Sequence, residues 1–114
     1  MHELALTEGI LNIVASEQKK NGFTRVEEIR LKIGEFSGVI PECIKEFFPL
    51  ISKGTAAEGA KLTVETVPAS FICFSCGYEG PIARHTACCP QCGSETISMR
   101  SGREFFVEEL KVDN

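Results

Sequence analysis

The feature that most constrains how this chain can fold is a repeated cysteine turn, Cys73-Phe-Ser-Cys76-Gly and Cys89-Pro-Gln-Cys92-Gly, with twelve residues between Cys76 and Cys89. Each Cys-x-x-Cys turn aims two sulfurs at one point, and the following glycine permits the left-handed backbone that frees N–H groups to bond sulfur. Two such turns predict a tetrahedral cage of four thiolates. That array suits zinc, with iron on the same sulfurs as the lesser alternative. A full set of protein sulfurs leaves no open position for water, so the ion is expected to be structural rather than catalytic. The segment 68–102 also carries Pro68, Pro81 and Pro90 and few aliphatic side chains, a composition that builds little core without a clamp. Cys88 would need a three-residue gap to pair with Cys92 and is read as a free thiol. Cys43 is read as a small, semi-buried side chain. His85, between the two pairs, is a candidate additional nickel or zinc ligand, against the plainer reading of a solvated loop histidine.

Outside that segment the periodicities are ordinary. Leu6, Ile10, Ile13 and Val14, flanked by Leu4 and Leu11, predict a helix over 4–20 with one buried face, stopped by Asn21-Gly22. Ile29, Leu31 and Ile33 alternate with Glu28, Arg30 and Lys32, the period of a strand with one wet face, and 34–38 reads as a turn. Pro41 opens a second helix through Ile44, Phe47, Phe48 and Ile51, where Pro49 predicts a kink or an early end before Gly54. A short strand through Leu62 and Val64 follows. After Gly102, REFFVEELKVDN returns to strand-like sequence whose alternation changes phase at Val107–Glu109, the mark of a bulge or a strand end. The expected architecture is α+β: a small sheet with two helices over 1–67, completed by a strand in 103–114, and a zinc-ribbon-like module with four cysteine ligands over 68–102.

Charge narrows the function. Twelve basic residues against sixteen acidic ones leave a net −4, which gives no pull toward phosphate backbones. Within 68–102, Arg84 and Arg100 offset Glu79 and Glu95, and four thiolates around one Zn(II) add a further −2. Phe71, Phe74 and Tyr78 are read as covering the metal rather than stacking bases, so no nucleic-acid partner is expected. Apolar runs are only a few residues long, and an acid stands where a signal segment would be basic, so no membrane association and a cytosolic location are expected. Cysteines in a reducing compartment are then metal ligands or buried thiols.

The chain opens Met1-His2-Glu3. A free Met1 amine, with a pKa of about 7.7 to 8.0, stands next to the His2 backbone amide and imidazole, joined by short chelate rings. A divalent ion that favours square-planar nitrogen ligation can take amine, amide and imidazole together, with the Glu3 amide or carboxylate completing the set. Nickel(II) and copper(II) prefer that geometry, and copper binds more tightly by the usual affinity order. The plainer reading makes His2 and Glu3 the solvated start of a helix, with Glu3 placed against the positive end of its dipole.

The opening MHE, the stretch RVEEIRLKIGEFSGV, the block KGTAAEGAKLTVE and the paired cysteines, in this order, resemble the HypA/HybF family of hydrogenase-maturation nickel metallochaperones. The likeness covers essentially the whole chain. It implies a nickel-binding α+β domain with a zinc module beside it. Met1, His2 and Glu3 match the nickel end, and Cys73, Cys76, Cys89 and Cys92 the zinc ligands. The implied partners are a hydrogenase-maturation GTPase that also handles nickel and the large subunit of a [NiFe] hydrogenase, and some members serve urease. Pro49 and Cys88 depart from the family pattern.

The expected function is therefore a nickel carrier, not an enzyme, present as a monomer or weak dimer. Ni(II) is its transferable cargo and Zn(II) its structural ion. Two other classes compete: a zinc-ribbon protein-interaction module with an inert terminus, and a thiol redox enzyme, which needs a reactive cysteine of low pKa.

Overall fold

The computed structural model describes residues 2–82 and 86–113. Its elements run α1 (Glu3–Asn21), β1 (Arg25–Gly34), α2 (Pro41–Ile51), β2 (Lys61–Val67), β3 (Ser70–Cys73), β4 (Glu79–Gly80), β5 (Ile97–Ser101) and β6 (Phe105–Asp113). Two three-stranded sheets result, ordered β2-β1-β6 and β4-β3-β5, which gives the α+β class. Among the described residues no helix is long and apolar enough to cross a membrane.

Helix α1 ends where Gly22 takes the left-handed conformation, φ 70°, and donates its N–H to Gln18 O at 2.8 Å. Its buried face is Glu3, Thr7, Ile10 and Val14, one turn-to-turn row rather than the purely aliphatic stripe the sequence suggests. Ile13 and Leu4 are each 43 % exposed. Thr7 fits the interior because its hydroxyl donates to Glu3 O at 2.6 Å, so its polar group is not buried unpaired.

Strand β1 is the centre of the first sheet. It pairs in parallel with β2, from Glu28 opposite Lys61 to Gly34 opposite Val67, and the crossover between them is α2, as a parallel pair requires. On the other side it pairs antiparallel with β6. Ile29, Leu31 and Ile33 bury one face against Ile10 and Val14 of α1 and Ile44 and Phe48 of α2. The opposite face carries a charge ladder: Lys32 Nζ lies 3.2 Å from Glu108 and 3.7 Å from Glu65, and Lys111 Nζ lies 3.4 Å from Glu28. The phase change in the last strand is a bulge. Arg30 faces Glu109 and Leu31 faces Val107, so Glu108 has no opposite residue and its carboxylate turns to Lys32.

Helix α2 runs through Pro49 and ends two residues later, where Ser52 donates its N–H to Phe48 O at 3.0 Å. Proline costs one donor there, but so near the C-terminus few further bonds depend on continuing the helix.

The two sheets meet at a narrow crossing of three chain segments. Gly34 N donates to Glu104 O at 2.7 Å, Glu35 N to Val67 O at 2.8 Å and Phe36 N to Gly102 O at 2.6 Å. The Glu35 carboxylate accepts the Ala69 N–H at 2.8 Å, and Phe36 packs edge-on against Phe71 with centroids 6.2 Å apart.

Candidate metal centres

The two cysteine turns are built alike. Strand β3 delivers Cys73, whose N–H donates to Tyr78 O at 2.8 Å and whose carbonyl accepts from Gly77 at 2.9 Å; Cys89 does the same with Ser94 at 2.8 Å and Gly93 at 2.9 Å. Gly77 and Gly93 stand at φ 80° and 77°, a conformation a side chain would strain. The turns are tied to each other by the Ser75 and Ser94 hydroxyls, 2.9 Å apart.

This places Sγ of Cys73 3.6 Å from that of Cys92 and Sγ of Cys76 3.6 Å from that of Cys89, and all four sulfurs lie within 4.8 Å of one another. A tetrahedral ion with metal–sulfur bonds of about 2.3 Å needs edges of about 3.8 Å, so the cage fits one. Backbone N–H groups of Cys76 and Ser75 draw the Cys73 thiol down to about 6 against the opposing cost of burial. Cys76 accepts from the Tyr78 N–H, which lowers it, but desolvation and the crowding sulfurs of Cys92, Cys89 and Cys73 push it up to about 12. Four sulfurs this close cannot all ionise without a cation between them. Cys88 and Cys43 are not part of this group. His85 lies outside the described residues.

The amino-terminal end is arranged differently. Met1 lies outside the described residues. His2 is the exposed N-cap of α1 and caps it with no side-chain bond, while its carbonyl accepts the Leu6 N–H at 3.0 Å. Glu3 is not frayed: it is only 8 % exposed, and its Oε2 accepts the Ile40 N–H at 3.1 Å. That N–H is the main reason its carboxyl is held below the ordinary 4.5, against the cost of desolvation. The start of α1 is thereby pinned to the entry of α2. Beside it lies a cleft of about 400 Å³ lined by His2, Glu3, Leu4, Ala5, Glu8 and Phe47. Sequence reasoning missed Ile40, Glu8 and Phe47. Glu8 carried a weak signal, one helical turn beyond Leu4, whereas Ile40 and Phe47 come from another element and had none.

A family profile described as hydrogenase/urease nickel incorporation, metallochaperone, hypA, matches residues 1–112. A hydrogenase maturation factor HypA of Acidithiobacillus ferrooxidans is 38 % identical over 113 residues, covering 99 % of this chain and 100 % of that protein. One from Dehalococcoides mccartyi is 35 % identical over 114 residues, covering 100 % and 96 %. Among solved structures, the solution structure of the Ni metallochaperone HypA from Helicobacter pylori superposes with a TM-score of 0.73 at 21 % identity, over 99 % of this chain and 98 % of that one.

Proposed function

Because the chain belongs to the HypA family of nickel-incorporation metallochaperones, we propose that it binds Ni(II) at its amino terminus and hands it to the apparatus that matures [NiFe] hydrogenase. The donors are the Met1 amine, the His2 amide and imidazole, and Glu3. The first amides of a helix have no carbonyl to bond within it, so the nitrogens of His2 and Glu3 can ligate a cation without unravelling α1. The observation that carries this reading is Glu3: one oxygen of its carboxylate already holds the Ile40 N–H, which ties down the start of α1 and favours its backbone nitrogen as the fourth in-plane donor. The ion is passed on by ligand exchange, since a terminal amine that protonates near neutral pH is a displaceable ligand.

Cys73, Cys76, Cys89 and Cys92 are the ligands of a structural Zn(II), which four thiolates at these separations suit. Residues 1–67 with 103–114 form the nickel-binding unit and 68–102 the zinc unit, in keeping with the two separate sheets. The partners are a maturation GTPase and the hydrogenase large subunit in the cytoplasm, with urease a further client, and the protein itself turns over no substrate.

The test is metal counting by native mass spectrometry after nickel addition. Wild type binds one nickel and one zinc; His2→Ala and the N-acetylated chain keep zinc and lose nickel. Stoichiometric, tight nickel in His2→Ala would refute the terminal site.

A further inference from the structure

The cleft beside the amino terminus holds a second carboxylate. Glu8 lines it together with His2, is exposed, and among the described residues is held by no hydrogen bond or ion pair. We propose that Glu8 is a positioning residue for the nickel site: it accepts the free ring N–H of the His2 imidazole and holds that ring in ligating orientation. This rests on the terminal nickel reading above.

The chelate dictates which nitrogen is left over. His2 binding through its own amide nitrogen and Nδ1 closes a six-membered ring, so Nε2–H points outward and needs an acceptor. Metal-bound histidines nearly always donate that second N–H to a carboxylate, a carbonyl or water. Glu3 is committed through Oε2 to the Ile40 N–H, which ties that carboxylate to the entry of α2, whereas Glu8 is the second carboxylate lining the cleft. Glu8 lies six residues further along, roughly 9 Å up the helix axis, and helical side chains lean toward the N-terminus. The observation that joins the two is that both side chains line the same cleft. The apolar walls, Leu4 and Phe47, reduce competition from water and strengthen such a bond.

Nickel affinity is measured on the zinc-loaded full chain by competition with a chromogenic chelator, for wild type, Glu8→Gln and Glu8→Ala. The His2 ring nitrogens are followed by ¹⁵N NMR in the diamagnetic square-planar complex. Zinc content and thermal midpoint serve as folding controls. Glu8→Ala should weaken nickel binding about 10- to 100-fold and shift the Nε2 resonance, with Glu8→Gln, which keeps an acceptor oxygen, in between. Wild-type affinity in Glu8→Ala with an unmoved Nε2 signal, while N-acetylation still abolishes binding, overturns the role of Glu8 alone. Equal nickel affinity in the acetylated chain overturns the terminal site and this inference with it.

Discussion

Replacing Gly34 by alanine tests whether the two sheets cross as closely as the hydrogen bonds between them require. Gly34 does not need glycine for its dihedral angles; it needs the space. A Cβ there would sit 2.2 Å from both the carbonyl carbon and oxygen of Gly102 and 2.6 Å from Arg103 N. Ordinary contact is 3.4–4 Å, so the opposing backbone must retreat by more than an ångström, and backbone cannot swing aside as a flexible side chain can. Retreat strains or breaks the bonds from Gly34 N to Glu104 O and from Phe36 N to Gly102 O. Overpacking costs about 1–3 kcal/mol and each lost bond about 1 kcal/mol, which together give a loss of about 3–5 kcal/mol. That is a large share of the stability of a small domain. Gly9→Ala is the internal control. It lies within α1 with nothing within 4 Å of its would-be Cβ, so alanine there should stabilise by about 0.5–1 kcal/mol. Denaturant unfolding of zinc-loaded protein measures both. A Gly34→Ala loss under about 1 kcal/mol, within the range of an ordinary surface substitution, would show that the crossing is loose.

Removing the metal should act on one sheet only. Chelation or Cys89→Ser is expected to abolish hydrogen-exchange protection over residues 70–101 while β1 amides stay protected, because Cys73 and Cys89 are the buried apolar residues described in that segment whereas Ile29, Leu31 and Ile33 belong to the helix-backed core. Loss of β1 protection at the same rate would contradict this. Acid should loosen the amino-terminal end. The Glu3 carboxyl is lowered from 4.5 by the Ile40 N–H, so its contribution is full above the unfolded value and is lost as pH falls through the lower folded one. Glu3→Gln, which keeps an acceptor but no titration, should flatten the decline of stability below about pH 4.5, and Glu3→Ala should expose the Ile40 amide to exchange. An unchanged pH profile with a protected Ile40 would mean that no such tether operates.

The parts of the molecule that sequence reading reached share a property: their geometry is set by residues close together along the chain. The two cysteine turns need only their own glycines and carbonyls, and β1 announces itself by strict alternation of Ile29, Leu31 and Ile33 with charged neighbours. Even the bulge at Glu108 shows as a break in a local period. What was not legible is set at long range. The parallel pairing of β1 with β2 depends on the α2 crossover, and the choice of Thr7 over Ile13 for the buried face of α1 is set by what the rest of the fold lays against the helix. Pro49 is absorbed because the helix was about to end. At the amino terminus the proposed nitrogen donors are three consecutive residues, whereas the Ile40 N–H that bonds the Glu3 carboxylate lies 37 positions away.

The contrast between the two candidate metal centres follows from how each is held. The four sulfurs converge because a whole module folds around them, with two buried cysteines and, among its described residues, no other large buried side chain. An ion released from there would take the module's structure with it, so exchange carries the full cost of unfolding. The proposed terminal donors begin at the exposed His2, and the aliphatic core contacts of that helix, Ile10 and Val14, are made turns further on. A cation lost from that end would leave the aliphatic core in place, and the bond from Ile40 N to Glu3 would hold the start of α1 where it is. A cargo ion needs a site whose filling and emptying leave the fold alone, and a structural ion needs the opposite. That contrast is the physical ground for proposing nickel at the terminus and zinc at the cysteines, independently of which ion either ligand set would bind more tightly in isolation.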